Sequence, residues 1–433
     1  MSIFGAIYAA VSGLNANSNA LGIISDNIAN SNTIGYKDTS TDFSTLVTQS
    51  GVADDYSPGG VVSQPLYNVA QQGAIQGASS PTDLAISGGG FFVVNSSSAG
   101  AAGNGTTSFT RAGNFTVDAN GNLVNAAGLY LQGQTLSAAQ SAAIAAGAPP
   151  TLSGTTVGGL QTVNVNGISE TASPTAAVTL AANLPANAVS PETMTVPVYD
   201  SEGVEHDLTL TFTPSGTVNK WNVSAAFANA GASTATIGAG DDVVQFNPDG
   251  TLDAAATTFN AASALSIGWD PTVSGGTTPQ TLSFNLGANG GTNGLSQLGN
   301  AFTVSSITQD GVQFGNFSSV SFGNDGLVTA HFSNGLTRAI AIVPIATFED
   351  PNGLDPTSGN TYLESANSGA PLLAQAGTGG AGQIEPSSLE NSTVDIANEF
   401  SQLIIAQNAY SANSKVITTA NQMTQSLLSI QTG

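Results

Sequence analysis

The chain has no cysteine. That excludes disulfides and thiolate metal sites, and it leaves no thiol to oxidise in an extracellular setting. Charge is scarce too. Charged residues make up 8% of the 433 positions, against roughly a quarter in ordinary globular proteins. Only 5 are Lys or Arg and 28 are Asp or Glu, a formal net charge of −23. Binding a phosphate backbone needs clustered cations. Lys37, Arg111, Lys220, Arg338 and Lys415 stand far apart along the chain, so nucleic acid is not an expected partner. Long apolar runs are also missing. Ile3 to Leu14 is apolar or small, about 12 residues where a bilayer span needs about 20. The first basic residue, Lys37, lies beyond that run. Neither membrane insertion nor a cleaved signal peptide is expected.

What remains is an apolar fraction of 40% and 51 glycines. That suffices for a sizeable core and argues against global disorder. The surface must then be Ser, Thr, Asn, Gln and Gly rather than ions. The length predicts two to three domains.

The two ends differ from the middle. Ile3, Ile7, Ala10, Leu14, Asn17, Leu21, Ile24 and Ile28 recur at steps of three and four. This is one helical stripe, seven of its eight positions apolar. Near the other end Leu389, Ile396, Leu403, Tyr410 and Ile417 are seven apart, and Thr424 breaks the series. The offset row holds Phe400 and Leu428 but also Gln407, Ser414 and Asn421. This narrow stripe is weaker than an ideal zipper. Pro386-Ser387-Ser388 reads as a helix start. The other faces carry Asn, Ser, Thr, Gln and Ala, so isolated helices of this composition are marginal in water. Both ends are expected to become helical by packing together or against other subunits. Asn30 and Gly35 are expected where the first helix ends and the chain turns, a plain loop glycine being the alternative.

Between them, short runs rich in Val, Thr, Phe and Leu alternate with Gly, Asn, Asp and Pro, which predicts strands and turns. Examples are Phe91–Val94, Val196–Tyr199, Leu208–Phe212 and Ala339–Ile345. Leu136–Ala148 reads as a short helix. A small motif recurs: Phe115 to Leu123, Phe246 to Leu252 and Phe322 to Leu327 each carry Asn or Asp near a Gly. These are hairpin turns rather than calcium loops, which need more oxygen ligands at alternating positions. Composition shifts at Pro149-Pro150 and around 287–294 mark an insert. The expected plan has terminal helices at 1–30 and 388–433 and a connecting segment at 31–70. A middle β domain comprises 71–147 and 291–370, an inserted outer β domain 148–290, and a Gly-rich connector 371–387. The fold class is mainly β with α-helical termini. The termini pair as a coiled-coil-like inner domain, and of the two β-rich outer domains the outermost is inserted in the other.

Chemistry is hard to find. His206, in an acidic turn (Asp200 to Asp207), reads as a solvated hairpin tip more readily than a metal site. His331 lies on a strand. Gly88-Gly89-Gly90 precedes a strand rather than opening a helix, so it fails as a phosphate loop. Trp221 and Trp269 are most simply core residues. No catalytic residue, cofactor site or metal site is expected, and the chain does not read as an enzyme.

Two readings of the architecture stay open: a two-helix hairpin packed on a monomeric β domain, or helices that pack between many copies. In the second, head-to-tail addition that never closes builds a helical filament. Ser25-Asp26-Asn27-Ile28-Ala29-Asn30-Ser31-Asn32-Thr33-Ile34-Gly35-Tyr36-Lys37 resembles the N-terminal signature of the bacterial flagellar rod and hook axial proteins. Asn27, Asn30, Gly35 and Tyr36 carry that motif. Ala9-Ala10-Val11-Ser12-Gly13-Leu14 fits it as well. So do Val394 to Ile430 and Gly88–Val94 with Phe109–Phe115. The insert, with Ala182-Asn183-Leu184-Pro185-Ala186 and Val196 to Gly203, resembles the outer domain of the hook type.

The resemblance implies a structural subunit of a curved tube that passes torque from rod to filament as a universal joint. Inner helices would surround a central export channel. It implies the chain itself, the rod, the hook cap, the hook–filament junction proteins and the type III export apparatus as partners, and an extracellular place in the flagellum. Inter-subunit packing would fall to the two stripes: Ile3, Ile7, Leu14, Leu21 and Ile28, then Leu389, Ile396, Phe400, Leu403, Tyr410, Ile417 and Leu428. The competing readings are a straight distal-rod subunit, a secreted β-rich adhesin or surface-layer protein, and last a polysaccharide-acting enzyme.

Overall fold

The structure is a computed structural model that describes residues 3–46, 59–99, 105–152, 156–166, 172–227, 233–236, 242–259, 265–269 and 280–431. The chain is mainly β with a helix at each end. It divides into two compact units. Unit 1 comprises Met1–Asn166, Ser319–Ala330 and Thr337–Gly433; unit 2 comprises Gly167–Ser318 and His331–Leu336. Composition placed the borders of the insert at 148 and 290. Residues 148–166 cluster with unit 1, where Gln161–Thr162 pairs with a strand of that unit, and 291–318 cluster with unit 2.

Unit 1 opens with α1, Ile3–Ala29. Its capping turn follows at once, the Asn30 amide bonding to Asp26 and Asn27 carbonyls at 3.1 Å. The connecting segment then holds a ribbon that alternation did not reveal: β1 (Thr39–Leu46) and β2 (Gly60–Tyr67) pair antiparallel from Thr39↔Tyr67 to Leu46↔Gly60. Its inner face lies on α1. The Val61 amide donates to Ser12 Oγ at 3.1 Å, and Asn19 Nδ2 donates to Ser63 Oγ at 3.2 Å.

The β body of unit 1 begins with β3 (Ile75–Gly77), β4 (Leu84–Ser87), β5 (Phe91–Asn95), β6 (Thr107–Thr110), β7 (Phe115–Val117), β8 (Leu123–Asn125) and β9 (Tyr130–Thr135). β5 is apolar without alternation because both its faces are buried. Phe91, Val93, Phe109 and Tyr362 share one core, with the Phe109 and Phe348 rings edge-to-face at 4.8 Å. Gly88–Gly90 is the turn from β4 to β5. The recurring motif is a turn each time: Gly121, Gly250 and Gly326 adopt φ of 82°, 82° and 86°, where a Cβ would be strained. The Ala-rich stretch forms α2, Ala138–Ala145, with a capping box between Ser137 and Gln140.

One expectation is corrected at the C-terminal side. The helix does not start at 388. Gln383–Pro386 pairs with β4 and Ser388–Glu390 pairs with β3, so Leu389 sits on a strand and not on a helical stripe. Ser387 at φ 50° separates these strands. The helix α3 spans Ile396–Gln431. Its cap is Asp395, whose Oδ1 accepts the amides of Ala397 and Asn398 at 2.9 and 3.2 Å. A carboxylate there satisfies free N–H groups and complements the helix dipole, which the serines at 387–388 are too far upstream to do.

In unit 2, numbered on from β10 (Gln161–Thr162 in unit 1), the strands include β11 (Ala177–Asn183), β12 (Glu192–Tyr199), β13 (Glu205–Pro214) and β14 (Lys220–Phe227). β12, β13 and β14 form an antiparallel meander. Leu208, Leu210 and Phe212 point inward from β13 with Val196, Val178, Leu282 and Trp221. The side chain of Trp269 lies outside the described set. His206 Nε2 sits 2.9 Å from Asp200 Oδ2, while Asp200 Oδ1 accepts the Glu202 and Val204 amides. Asp200 is thus a turn cap. His331 lies on the strand Leu327–Phe332.

Candidate functional site

The two chain ends meet in unit 1. α1 and α3 pack antiparallel, with Gly13 against Asn413 and Asn27 against Glu399. The buried face of α1 is Ala10, Gly13, Ala16, Ala20, Ile24 and Asn27. Asn413 and Glu399 meet it from α3, where Ala406 and Ala420 are also buried. Small residues let the two backbones approach closely. A Cβ on Gly13 would stand 2.7 Å from Asn413 Nδ2. Apart from Ile24, the large apolar residues of the sequence stripes lie beside this seam rather than in it. Ile7, Leu14, Leu21, Ile28, Leu403 and Ile417 are half-buried. Ile396, Phe400, Tyr410 and Leu428 are exposed, at 45%, 51%, 42% and 57%. The side chain of Ile3 is outside the described set.

At the base of the helix pair, the N-terminal signature ties a knot. Asn27 is 1% exposed. Its Nδ2 donates to Thr39 O at 2.8 Å and Glu399 Oε1 at 3.2 Å, and its Oδ1 accepts from the Thr39 amide and the Tyr36 hydroxyl. Asn30 closes the turn, its Oδ1 accepting from Thr33 Oγ1 at 3.0 Å. Gly35 has φ 68°, and a Cβ there would fall 2.7 Å from the backbone of Arg111 and Ala112. Its amide donates to Glu390 O at 2.7 Å. Asp38 and Thr393 bond reciprocally at 2.8 Å. A groove of about 680 Å³ opens beside the knot, lined among others by Asn30, Tyr36, Tyr67, Asn360 and Tyr362. Asn360 Nδ2 is occupied by Ile34 O at 2.8 Å.

The centre of the knot is Glu390, fully buried. Its Oε1 receives Lys37 Nζ at 2.5 Å and the Gly73 amide at 2.7 Å; its Oε2 receives Arg111 NH1 at 3.1 Å. Lys37 also donates to Gln71 O, and Arg111 to the carbonyls of Ile86 and Gly88. The Arg111 guanidinium lies 5.3 Å from the centre of the Phe91 ring. One carboxylate from the C-terminal strand therefore joins the helix exit, the β3–β4 region and the β6–β7 turn. Burial pushes the Lys37 ammonium down, and Glu390 pulls it back up. Burial likewise lowers Arg111 against the same carboxylate. Burial raises the Glu399 carboxyl, with Asn27 opposing, and raises the Tyr36 and Tyr362 phenols.

Sequence reasoning singled out Asn27, Asn30, Gly35 and Tyr36, and all four lie in this knot. It missed Glu390, Lys37 and Arg111 as a set. Lys37 and Arg111 belong to the quoted motifs, but 353 and 279 positions separate them from Glu390. The scarcity of cations was the usable signal. In a chain with five, a Lys and an Arg that end up almost fully buried require an anion.

Two helical ends are knotted to a β body, with a second β unit inserted between them in the chain, and the sequence of these parts is that of a flagellar axial protein. Four family models match in chain order. They are the flagella basal body rod protein (7–37), the flagellar hook protein FlgE/F/G D1 domain (85–190), the flagellar basal body protein FlaE D2 domain (174–312) and the flagellar basal body rod FlgEFG protein C-terminal (385–430). The flagellar hook protein FlgE of Brucella suis biovar 1 is 36% identical over 437 residues, covering 100% of both chains. Those of Rhizobium meliloti and Escherichia coli K12 are 33% and 30% identical, over 100% and 98% of this chain and 100% and 99% of theirs. A crystal structure of Helicobacter pylori flagellar hook protein FlgE2 covers 73% of this chain and 100% of its own, at 14% identity and a TM-score of 0.41. The chain belongs to the flagellar hook protein family. It is a structural, non-enzymatic subunit of the flagellar hook and basal body, where it assembles as a homopolymer. Among the described residues no helix is long and apolar enough to cross a membrane.

Proposed function

We propose that the polymer is a curved tube acting as a universal joint between rod and filament, with α1 and α3 of many copies forming its inner wall around an export channel. The observation that carries this reading is the apolar surface the helix pair leaves uncovered. Phe4, Tyr8 and Val11 on α1 and Phe400, Ile404 and Tyr410 on α3 are all more than 40% exposed. A monomer gains nothing from that surface, whereas a neighbouring helix pair removes it from water. Half-buried Ile7, Leu14, Leu21, Ile28, Leu403 and Ile417 border the seam and extend the contact, together with Ile396 and Leu428.

The channel-facing Asn and Ser are wettable without fixed charge, which suits passage of unfolded cargo. The rod, the hook cap, the junction proteins and the type III export apparatus are the partners such a tube requires. The domain plan follows: the ends drive assembly, the middle β domain forms the wall, and the block 148–290 tunes stiffness and curvature. Apolar contacts tolerate small shifts, and weakly charged Ser/Thr/Gly surfaces slide without breaking strong ion pairs. Hooks of unchanged stiffness and handedness after deletion of 148–290 would refute the tuning role.

Immunogold electron microscopy with antibody against 148–290 tests the whole reading. Label on a short curved segment between envelope and filament is the expected result. Label confined to stripped basal bodies would move the protein to the rod, and label over the whole cell would mean an adhesin or coat.

A further inference from the structure

α1 has two neighbours in unit 1. The β1–β2 ribbon lies on one side and α3 lies along the seam, and each turns its other face to solvent. The outer face of the ribbon is not neutral. The register puts Val62 and Leu66 on it, with Asp42 opposite Gln64 between their rows; Leu46 lies at its end, opposite Gly60, where a Cβ would stand 2.9 Å from Ser12 Oγ of α1. Leu46, Val62 and Leu66 are 43%, 40% and 50% exposed, and Asp42 is exposed with them. A two-stranded ribbon with one bare apolar face is marginal by itself.

On α3, Ile405, Ala412, Val416, Met423 and Leu427 follow at steps of seven and four, away from the seam. That spacing is a second apolar stripe on the same helix. Its large members are 44–68% exposed. Lys415 stands on its border, next to Val416, and is exposed. Lys37 and Arg111, by contrast, are buried on Glu390. Among the described residues neither Asp42 nor Lys415 makes an ion pair within the chain.

We propose that the outer face of the β1–β2 ribbon docks on the Ile405–Leu427 flank of α3 in a second copy, with Asp42 meeting Lys415. The proposal rests on the homopolymer reading and names a surface for it. The two faces differ, so the contact is heterologous: each copy offers a ribbon to one neighbour and a helix flank to another. Such a contact repeats without self-pairing and builds an open helical array. The seven residues of strand from Leu46 to Ser40, the position opposite Leu66, span about 20 Å and fit within the stripe from Ile405 to Leu427, which spans about 33 Å. The opposite charges set register on an otherwise non-directional apolar contact.

The test is a charge swap in the full chain, read by sedimentation of polymer over a concentration series. Asp42→Lys and Lys415→Asp each raise the critical concentration about fivefold or more, because a like-charge pair replaces an attractive one. The double variant Asp42→Lys/Lys415→Asp returns it to within about twofold of the parent. Both sites are exposed, so circular dichroism of the monomers stays unchanged. Single variants that polymerise like the parent, or a double variant no better than the worse single, overturn the pairing while leaving the homopolymer intact. A parent chain that forms no polymer would strike the homopolymer reading, and this proposal with it.

Discussion

Replacing Glu390 by Gln should unfasten unit 1 while leaving unit 2 unchanged. The side chains of Lys37 and Glu390 are 1% and 0% exposed, and that of Arg111 is 2% exposed. Glutamine keeps the shape and can still accept the Gly73 amide. It removes the carboxylate that is ion-paired with both Lys37 and Arg111, and its own N–H₂ meets another donor. Breaking a buried pair by removing one partner costs about 3–5 kcal/mol, a large share of the 5–15 kcal/mol typical of a domain. With a urea slope of about 2–3 kcal/mol per M, the midpoint of unit 1 falls by about 1–2.5 M. The protein supplies its own control. Both tryptophans, Trp221 and Trp269, lie in unit 2. Tryptophan fluorescence therefore follows unit 2, and far-UV circular dichroism at 222 nm, dominated by α1 and α3, follows unit 1. The expected outcome is a large shift in the dichroism transition with the fluorescence transition in place. The triple variant Lys37→Met/Arg111→Met/Glu390→Leu should recover part of the loss: it removes the unpaired charges but leaves the Gly73 amide and the Gln71, Ile86 and Gly88 carbonyls without these partners. A Glu390→Gln shift smaller than about 1 kcal/mol, or equal shifts in both probes, would refute the reasoning.

Gly35→Ala places a Cβ 2.7 Å from two backbone groups at φ 68°; the strain alone is about 1–3 kcal/mol, and hydrogen exchange should show the 33–37 turn losing protection first. Leu403→Asp puts a charge at a half-buried position beside the seam, so polymer should vanish from pelleting assays while Trp221 fluorescence stays native; normal polymer would sink the packing assignment. Burial raises the Glu399 carboxyl, so the folded state holds this proton more tightly than the unfolded one. Its contribution is therefore favourable near the ordinary carboxylate range and declines as pH rises from there through the raised folded value. Glu399→Gln, which keeps a hydrogen-bonding partner for Asn27, should flatten that part of a stability profile measured by urea melts from pH 4 to 8.

How much of this was legible before the structure follows from range. Periodicities of 3.6 and 2 are local, so α1, α3, α2 and alternating strands such as β13 could be read from the sequence. Turn chemistry is local as well, which is why the Gly121, Gly250 and Gly326 turns were readable. The ribbon β1–β2 was not, because Thr, Ser, Asp and Phe in β1 alternate no apolar face. The start of α3 was misread for a related reason. Leu389 is in phase with the helical stripe, yet Glu390 is drawn into a strand by donors at Gly35, Lys37, Gly73 and Arg111.

By itself, the sequence determined that the chain is acidic, thiol-free and β-rich, that its ends are helical, and that its motifs are those of the axial proteins. Those properties reside in composition and short spacings, which act without a partner in space. Only the tertiary structure decided that the helices meet mainly through alanines and Gly13, with Ile24, rather than through the other large stripe residues. Close approach of two backbones rewards small side chains, and that leaves the large apolar ones facing outward. It alone decided that two cations, 74 positions apart, share one carboxylate near the other end of the chain. A buried charge is tolerable only beside its counter-charge, and no spacing rule reaches from Lys37 to Glu390.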